Sequence, residues 1–311
     1  MGQLIKIQDY ISRYEQDIYK YPSRFVRLKK QQWEQLKFYW DTGWALVPDE
    51  ELYETNEDES TLLNKVKKLF KRQKQDQDSS VDDMERSNEA EEPTIVSDII
   101  NLHKPANIHE LKIQFLNKIF EYQMMWASTT ILEKSIVDPK YYKDEYIKFL
   151  IQRFPDTFLI MFQPVFLIKK APVETDHIMI TPTGIICLTF LEDEDEAVFI
   201  GSDDRFWTKR YKSKDKKMVN PVISLNRTGK IVEQLLKLHE VDIPIEKIVL
   251  SRNGYIDYPH LSYHLKIIDK RKYEDWFHVQ RTLKSPLKHL QLKAAQVLLQ
   301  YCETRAIKRF E

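Results

Sequence analysis

Residues 174–196, ETDHIMITPTGIICLTFLEDEDE, decide the fold of this chain. Two apolar arms of strand length flank Pro182-Thr183-Gly184, whose residue types favour a tight turn, so the stretch predicts a β-hairpin. The first arm opens with an acid, Asp176, and the second arm ends in Thr189-Phe190-Leu191. Side chains two apart on a strand share one face, so Thr189 and Leu191 are expected on the same side of the hairpin.

Helical and strand-like patterns alternate on both sides of this hairpin. A helix is predicted over 141–154, strand patterns follow over 158–170, and a helix over 223–239 precedes the apolar run IPIEKIVL at 243–250. The order helix, three strands, helix, strand predicts an α/β sandwich with a mixed sheet. Two more helices are predicted, at 271–282 and 287–308.

The N-terminal region differs in composition from the rest of the chain. Residues 1–53 are rich in aromatic side chains and predict a helical region, with one helix through 7–18 and another around 33–40. Residues 54–94 predict a charged flexible linker. Their acidic part carries too little apolar surface to offset the entropy lost on ordering.

Helical periodicity returns after this linker, over 95–136. Residues 95–311 are therefore predicted to form the main domain, with its core at 141–250 and flanking helices.

Composition excludes several classes of protein. The 48 basic and 48 acidic residues cancel, so any nucleic-acid site must come from local clustering. The two cysteines, Cys187 and Cys302, lie outside any CxxC pattern and favour buried thiols in a reducing compartment. No apolar run is long enough to span a bilayer, and phosphate-loop, dinucleotide-binding, zinc-hydrolase and serine-hydrolase motifs are absent. A cytoplasmic protein without a membrane partner or a small-molecule cofactor is expected.

Several short motifs follow one another in a fixed order. They are Glu145, Glu174-Thr175-Asp176-His177, Thr181-Pro182-Thr183-Gly184-Ile185, Gly201, Trp207 and Asn220-Pro221. In this order they resemble the nuclease-related domain, NERD, a bacterial and archaeal branch of the PD-(D/E)xK restriction-endonuclease-like fold. The chain departs from the family where Asp144 replaces a Gly and where Ser224 replaces a Gln.

The resemblance implies a site that can be compared residue by residue. In this fold an Asp and a Glu on neighbouring strands bind Mg²⁺, and a Lys two residues after the Glu helps to orient or deprotonate the attacking water. Counted from Asp176, the Glu position falls on Thr189 and the Lys position on Leu191. Asp176 is left as a weak metal ligand, with Glu145 and Glu174 as residual carboxylates.

A relocated carboxylate is the alternative that would preserve catalysis. Glu192 follows Leu191, but its strand parity is opposite to that of Thr189, so it should face away unless a bulge intervenes. His177 should likewise point away from Asp176, as a packing or hydrogen-bonding residue.

A cluster of basic and aromatic residues downstream could bind nucleic acid. Its candidate contact residues are Arg205, Trp207, Lys209, Arg210 and Lys212. On this fold they would line an electropositive rim, with Trp207 or Tyr211 stacking on a base. The alternative is a solvated loop that offsets the acidic residues before it.

Three hypotheses about function follow. The first is a bacterial, catalytically degenerate nuclease-related protein that binds nucleic acid or a protein partner. The second is an active Mg²⁺-dependent nuclease with a relocated carboxylate, in which Glu145, Glu174 or Glu192 supplies the missing Glu. The third is a structural interaction protein whose partner site is the N-terminal block, residues 1–53.

Overall fold

The computed structural model describes residues 1–43, 105–259, 264–283 and 285–309. The chain divides into two compact units, one comprising residues 1–26 with 120–311 and the other residues 27–119. The larger unit contains every strand that the structure describes, together with the candidate site. The predicted linker, 54–94, and the boundaries at 53 and 94 lie outside the described residues, so that division stays a prediction.

The described elements are named here in chain order. The strands are β1 (Gln3–Ile7), β2 (Glu133–Lys134), β3 (Leu159–Phe162), β4 (Val165–Ile168), β5 (Ala171–Glu174), β6 (His177–Thr181), β7 (Gly184–Phe190), β8 (Val198–Ile200), β9 (Phe206–Tyr211), β10 (Lys214–Val219), β11 (Ile245–Leu250), β12 (Tyr255–Asp257), β13 (Leu265–Ile268) and β14 (Ile307–Lys308). The helices are α1 (Tyr21–Asp41), α2 (Ile108–Trp126), α3 (Lys140–Lys143), α4 (Glu145–Arg153), α5 (Pro221–Leu238), α6 (Tyr273–Thr282) and α7 (His289–Gln300).

A six-stranded sheet in the order β1-β3-β6-β7-β11-β13 forms the centre of the larger unit. The pairs β3–β6 and β6–β7 are antiparallel, whereas β1–β3, β7–β11 and β11–β13 are parallel. The predicted α/β sandwich with a mixed sheet is therefore confirmed. A second sheet has the order β10-β9-β8-β12.

The predicted hairpin is formed by β6 and β7, which occupy the middle of the main sheet. Its turn closes where Thr181 pairs with Gly184. A Cβ atom at Gly184 would lie 2.6 Å from the carbonyl oxygen of Pro244, so this close approach admits only glycine.

The two faces of the sheet are covered by different helices. On one face, side chains of α4 join a buried cluster with alternate residues of the strands, including Met179 and Leu188. Helices α5 and α7 pack against the other face. Both layers bury the central strands β3 and β6 completely.

The helix predicted through 7–18 is wrong. Gln3–Ile7 is a completely buried strand, and a short 3₁₀ turn follows at Arg13–Glu15. The partner of β1 lies more than a hundred residues away in β3, so local periodicity could not reveal the pairing. The side chain of Gln123 protects the free edge of β1, accepting from the Leu4 amide at 2.5 Å and donating to the Gly2 carbonyl at 2.6 Å.

Other predicted elements differ in their extent. The helix predicted over 141–154 breaks into α3 and α4 at Asp144, and the last helix ends at Gln300. The region interpreted as a charged loop forms β8, β9 and β10. The predicted strands at 174–181, 184–191 and 243–250 and the helix at 223–239 match β6, β7, β11 and α5 within a few residues. Among the helices that the structure describes, none is long and apolar enough to cross a bilayer.

Asp144 is the N-cap of α4, and its replacement tests the start of that helix. Its carboxylate accepts hydrogen bonds from the amides of Tyr146, at 2.8 Å, and Ile147, at 3.0 Å. Asp144→Ala should lower the free energy of unfolding by about 1 kcal/mol, measured by chemical denaturation. Asp144→Asn is the matched control and should cost a few tenths at most, because an amide oxygen caps a helix equally well. Equal losses in the two variants would contradict the capping role.

Candidate functional site

Asp176 lies immediately before β6 and faces helix α5. Its Oδ2 accepts a hydrogen bond from the Thr228 hydroxyl at 3.0 Å, and its Oδ1 accepts one from the Ser224 hydroxyl at 3.4 Å. The backbone amide of Asp176 donates in turn to the Thr228 oxygen, at 3.0 Å. Ser224 and Thr228 are one turn apart on α5 and therefore reach the same carboxylate.

Thr189 faces Asp176 from the neighbouring strand. His177 pairs with Leu188 across the hairpin, so the next positions outward place Asp176 opposite Thr189. The Thr189 side chain interacts favourably with the charged carboxylate and acts to lower the pKa of Asp176. We call Asp176 with Ser224, Thr228 and Thr189 the hydroxyl cage. It stands where the nuclease pattern would need a second carboxylate.

Burial raises the pKa of Asp176 above its usual range, and the hydroxyl hydrogen bonds and the nearby charge of Arg227 oppose that rise. The guanidinium of Arg227 donates to the Glu174 carbonyl at 3.1 Å. The cage therefore holds one carboxylate, with a raised pKa, beside one cation.

The other predicted carboxylates do not complete a metal site. The side chains of Glu145 and Glu174 are both exposed. Within the described ranges, no three His, Cys, Asp or Glu side chains come close enough together to hold a metal ion. Mg²⁺ prefers charged oxygen ligands in octahedral order, and Asp176 among three hydroxyls does not fit that preference.

Leu191 and Glu192 end the second arm in opposite environments. Leu191 is buried, so the position expected for a catalytic lysine is apolar. Glu192 lies on the opposite face, as its parity predicted. Its Oε1 and Oε2 accept from Nε and Nη2 of Arg252 at 2.6 and 2.7 Å, while the Arg252 guanidinium lies 4.6 Å from the ring centre of Phe149. This pair neutralises the carboxylate that the relocation hypothesis would need.

His177 packs among aromatic rings on the α4 face. Its ring lies 4.4 Å from that of Phe162 and 5.4 Å from that of Phe190. Burial lowers its pKa to about 3, so the imidazole is neutral at physiological pH. The prediction that it packs away from Asp176 is confirmed.

The basic cluster is arranged differently from the sequence-based interpretation. Trp207 is only 1% exposed and donates from its indole to the Ser202 carbonyl at 2.9 Å, so it cannot stack on a base in this conformation. Lys209 is also buried, with its ammonium bound by Asp193 and Glu194. In this structure Trp207 and Lys209 therefore stabilise the fold, and the prediction that they contact nucleic acid is corrected.

The remaining members of the cluster stay at the surface. Arg210 is exposed but forms a two-point ion pair with Asp215, both contacts being 2.9 Å. Arg205 and Lys212 are exposed, and each lies near an aromatic ring, of Phe206 and Tyr211 respectively.

Sequence reasoning missed Thr228 and Arg227 as neighbours of Asp176. A usable signal was present, since Asn220-Pro221 marks the start of α5 and Ser224 and Thr228 repeat a hydroxyl four residues apart. The role of Arg252 had no comparable signal, because its partner Glu192 lies sixty positions away in sequence.

Comparison with known proteins agrees with the fold and with the order of these motifs. Residues 141–251 match the family model described as the nuclease-related domain, NERD. A Geobacillus stearothermophilus protein named RNA 2',3'-cyclic phosphodiesterase is 38% identical over 130 residues, which are 41% of this chain and 37% of that protein. The chain thus spans little more than a third of this relative. No solved structure matches.

The raised pKa of Asp176 leads to a testable pH dependence. A carboxyl whose pKa rises on folding favours the folded state in its neutral form, and this contribution is lost as the pH rises from about 4 through the raised pKa. Asp176→Asn keeps the neutral shape but does not titrate. The variant should therefore gain stability relative to the wild type between about pH 4 and pH 7, measured by denaturation at several pH values.

Glu174→Gln controls for the change in net charge, because it removes a neighbouring exposed carboxyl. It should leave the pH dependence nearly unchanged. If Asp176→Asn instead lost stability relative to the wild type as the pH rose, the hydrogen bonds and Arg227 would outweigh burial.

The Glu192–Arg252 pair should be structural. Glu192→Ala leaves a partly buried guanidinium without its anion and should lower the free energy of unfolding by about 3 kcal/mol. Asp215→Ala breaks a two-point pair of similar geometry at the surface and should lower the free energy of unfolding far less, because solvent screens the exposed pair. If urea denaturation showed the same loss of unfolding free energy in both variants, the structural role of the Glu192–Arg252 pair would be contradicted.

Proposed function

We propose that this chain, whose residues 141–251 are a nuclease-related domain, binds nucleic acid without hydrolysing phosphodiesters. The observation that carries the proposal is the hydroxyl cage around Asp176. Three neutral hydroxyls occupy the surroundings in which a metal-dependent nuclease needs further anionic ligands.

The partners of His177 and Glu192 support the non-catalytic half of the proposal. A general base must reach the attacking water within hydrogen-bond distance. Two candidate bases are engaged elsewhere, since His177 packs on the opposite face and Glu192 is bound by Arg252. Asp176 already accepts hydrogen bonds from Ser224 and Thr228. The position where the nuclease pattern has a lysine is occupied by Leu191, which carries no charge.

The binding half is supported by the charges of β10. Lys214, Lys216 and Lys217 are exposed, and within the described part of the chain no ion pair neutralises them. β10 is the edge strand of its sheet and leads directly into α5, which carries the cage. Unneutralised lysines at such an edge provide the phosphate contacts on which non-specific nucleic-acid affinity depends.

Phosphodiester hydrolysis is a second candidate, favoured by the name of the Geobacillus stearothermophilus relative. The third hypothesis, a partner site formed by residues 1–53, takes a modified form. Gln3–Ile7 belongs to the main sheet, so deleting the whole block would remove a buried strand along with any partner site. A cytoplasmic location and a bacterial source stay predictions.

The lysines of β10 should determine affinity. Changing Lys214, Lys216 and Lys217 together to Glu should weaken retention of a labelled oligonucleotide about tenfold or more at low salt. The slope of log affinity against log salt should fall by about 2 for a single strand, because three phosphate contacts are lost. Filter binding or fluorescence anisotropy over a salt series would measure both quantities.

The matched control places the same charge change elsewhere. Lys134, Lys230 and Lys237 are equally exposed, and changing them to Glu should leave the salt slope unchanged. Incubation of the wild type with Mg²⁺ or Mn²⁺ should leave DNA, RNA and a 2',3'-cyclic phosphate intact. Metal-stimulated turnover of any of them that Asp176→Ala abolishes would refute the non-catalytic half.

A further inference from the structure

We propose that the outer face of the β9–β10 hairpin is a stacking site for a base of single-stranded nucleic acid, with Phe206 as the stacking residue. The inference rests on the proposed function and adds to it the class of nucleic acid and the residue that contacts a base. It replaces Trp207, which the sequence favoured and which is buried.

Alternation along β9 determines which aromatic side chain faces solvent. Trp207 points inward, where its ring lies 5.1 Å from that of Tyr258. Phe206, its neighbour in sequence, must then point outward. Phe206 is 48% exposed, and its register partner on β10, Val219, is 60% exposed. The hairpin thus presents a flat apolar surface formed by one ring and one branched side chain.

Cationic groups border this surface. The guanidinium carbon of Arg205 lies 5.6 Å from the centre of the Phe206 ring. Lys217 pairs with Thr208, so it lies on the same face of the hairpin as Phe206. It is the diagonal neighbour of Phe206, and such neighbours lie about 7–8 Å apart on a sheet. An exposed aromatic side chain alone is ordinary at a protein surface. With unneutralised cations around it, the ring has the chemistry that holds a base and its phosphates together.

The geometry favours a single strand over a duplex. Bases in a duplex are stacked on their neighbours and present only their edges, whereas a base in a single strand can place its face on an aromatic ring. The exposed ring of Phe206 offers such a face at the surface of the hairpin. An acidic protein partner could form ion pairs with the lysines, but its carboxylates would not stack on the Phe206 ring.

The experiment compares ring and charge variants on defined oligonucleotides. Fluorescence anisotropy would measure binding of the full chain to a single-stranded oligomer of about 12 nucleotides. This length is within the range that a single-strand-binding domain usually covers. DNA and RNA oligomers of the same sequence would be tested, together with the duplex and with an abasic single strand. Phe206→Ala should weaken binding to the intact single strand at least about fivefold, and Phe206→Tyr should restore it.

The duplex and the abasic strand should be bound equally by the wild type and by Phe206→Ala, because neither offers a free base. Leu238→Ala removes an apolar side chain that is also exposed, on α5, and is the matched control. It should have no effect on any oligomer. Weaker binding of Phe206→Ala to the single-stranded DNA oligomer, the RNA oligomer or both would support the inference. It would also show which sugar the site accepts.

Three outcomes are informative, and the first and third separate this inference from the proposed function. If the wild type bound nucleic acid and the lysine variant weakened it while Phe206→Ala had no effect, the proposed function would stand and the stacking site would be refuted. If the wild type bound none of the oligomers, both would fail. Equal weakening on duplex and single strand would also overturn the stacking site.

Discussion

Side-chain alternation along the hairpin β6–β7 is the constraint on which the chemistry of the sheet depends. It directs Asp176 and Thr189 towards α5, and His177 and Phe190 towards α4. At the open end of the hairpin, one face therefore carries polar hydrogen bonding and the other carries aromatic packing. A shift of one residue in the pairing would exchange the two sets. The buried turn at Gly184, pressed against the Pro244 carbonyl, fixes the register and so fixes this division.

Charges around the sheet edge are largely neutralised within the molecule. Glu192 is bound by Arg252, and Lys209 by Asp193 and Glu194. These pairs organise the end of the hairpin and leave little net field there. Among the described residues, three unneutralised lysines lie on β10, an edge strand of the four-stranded sheet. A chain with zero net charge can thus still offer a local electropositive surface.

The sequence predicted what is encoded locally. The arms of β6 and β7, the buried run of β11 and the start of α5 at Asn220-Pro221 each carry their pattern within a few residues. β1 was missed because its strand character comes from a partner far along the chain. Trp207 was assigned to the surface because its neighbours are lysines, and only strand alternation, hidden until β9 was known, shows that it points inward. The partners of Asp176 were missed because α5 brings them across space.

The position of β1 has a consequence for biosynthesis. Its partner strand β3 begins at Leu159, so the first strand must wait while the ribosome adds the intervening chain, for roughly 8 to 30 seconds at ordinary elongation rates. The buried Lys6 of β1 remains without one of its partners for longer, because it hydrogen-bonds Thr304 near the other end of the described chain. During that interval an apolar strand with unpaired edges is exposed to other nascent chains. Yield in cells should therefore depend on holdase chaperones more than the stability of the finished fold would suggest.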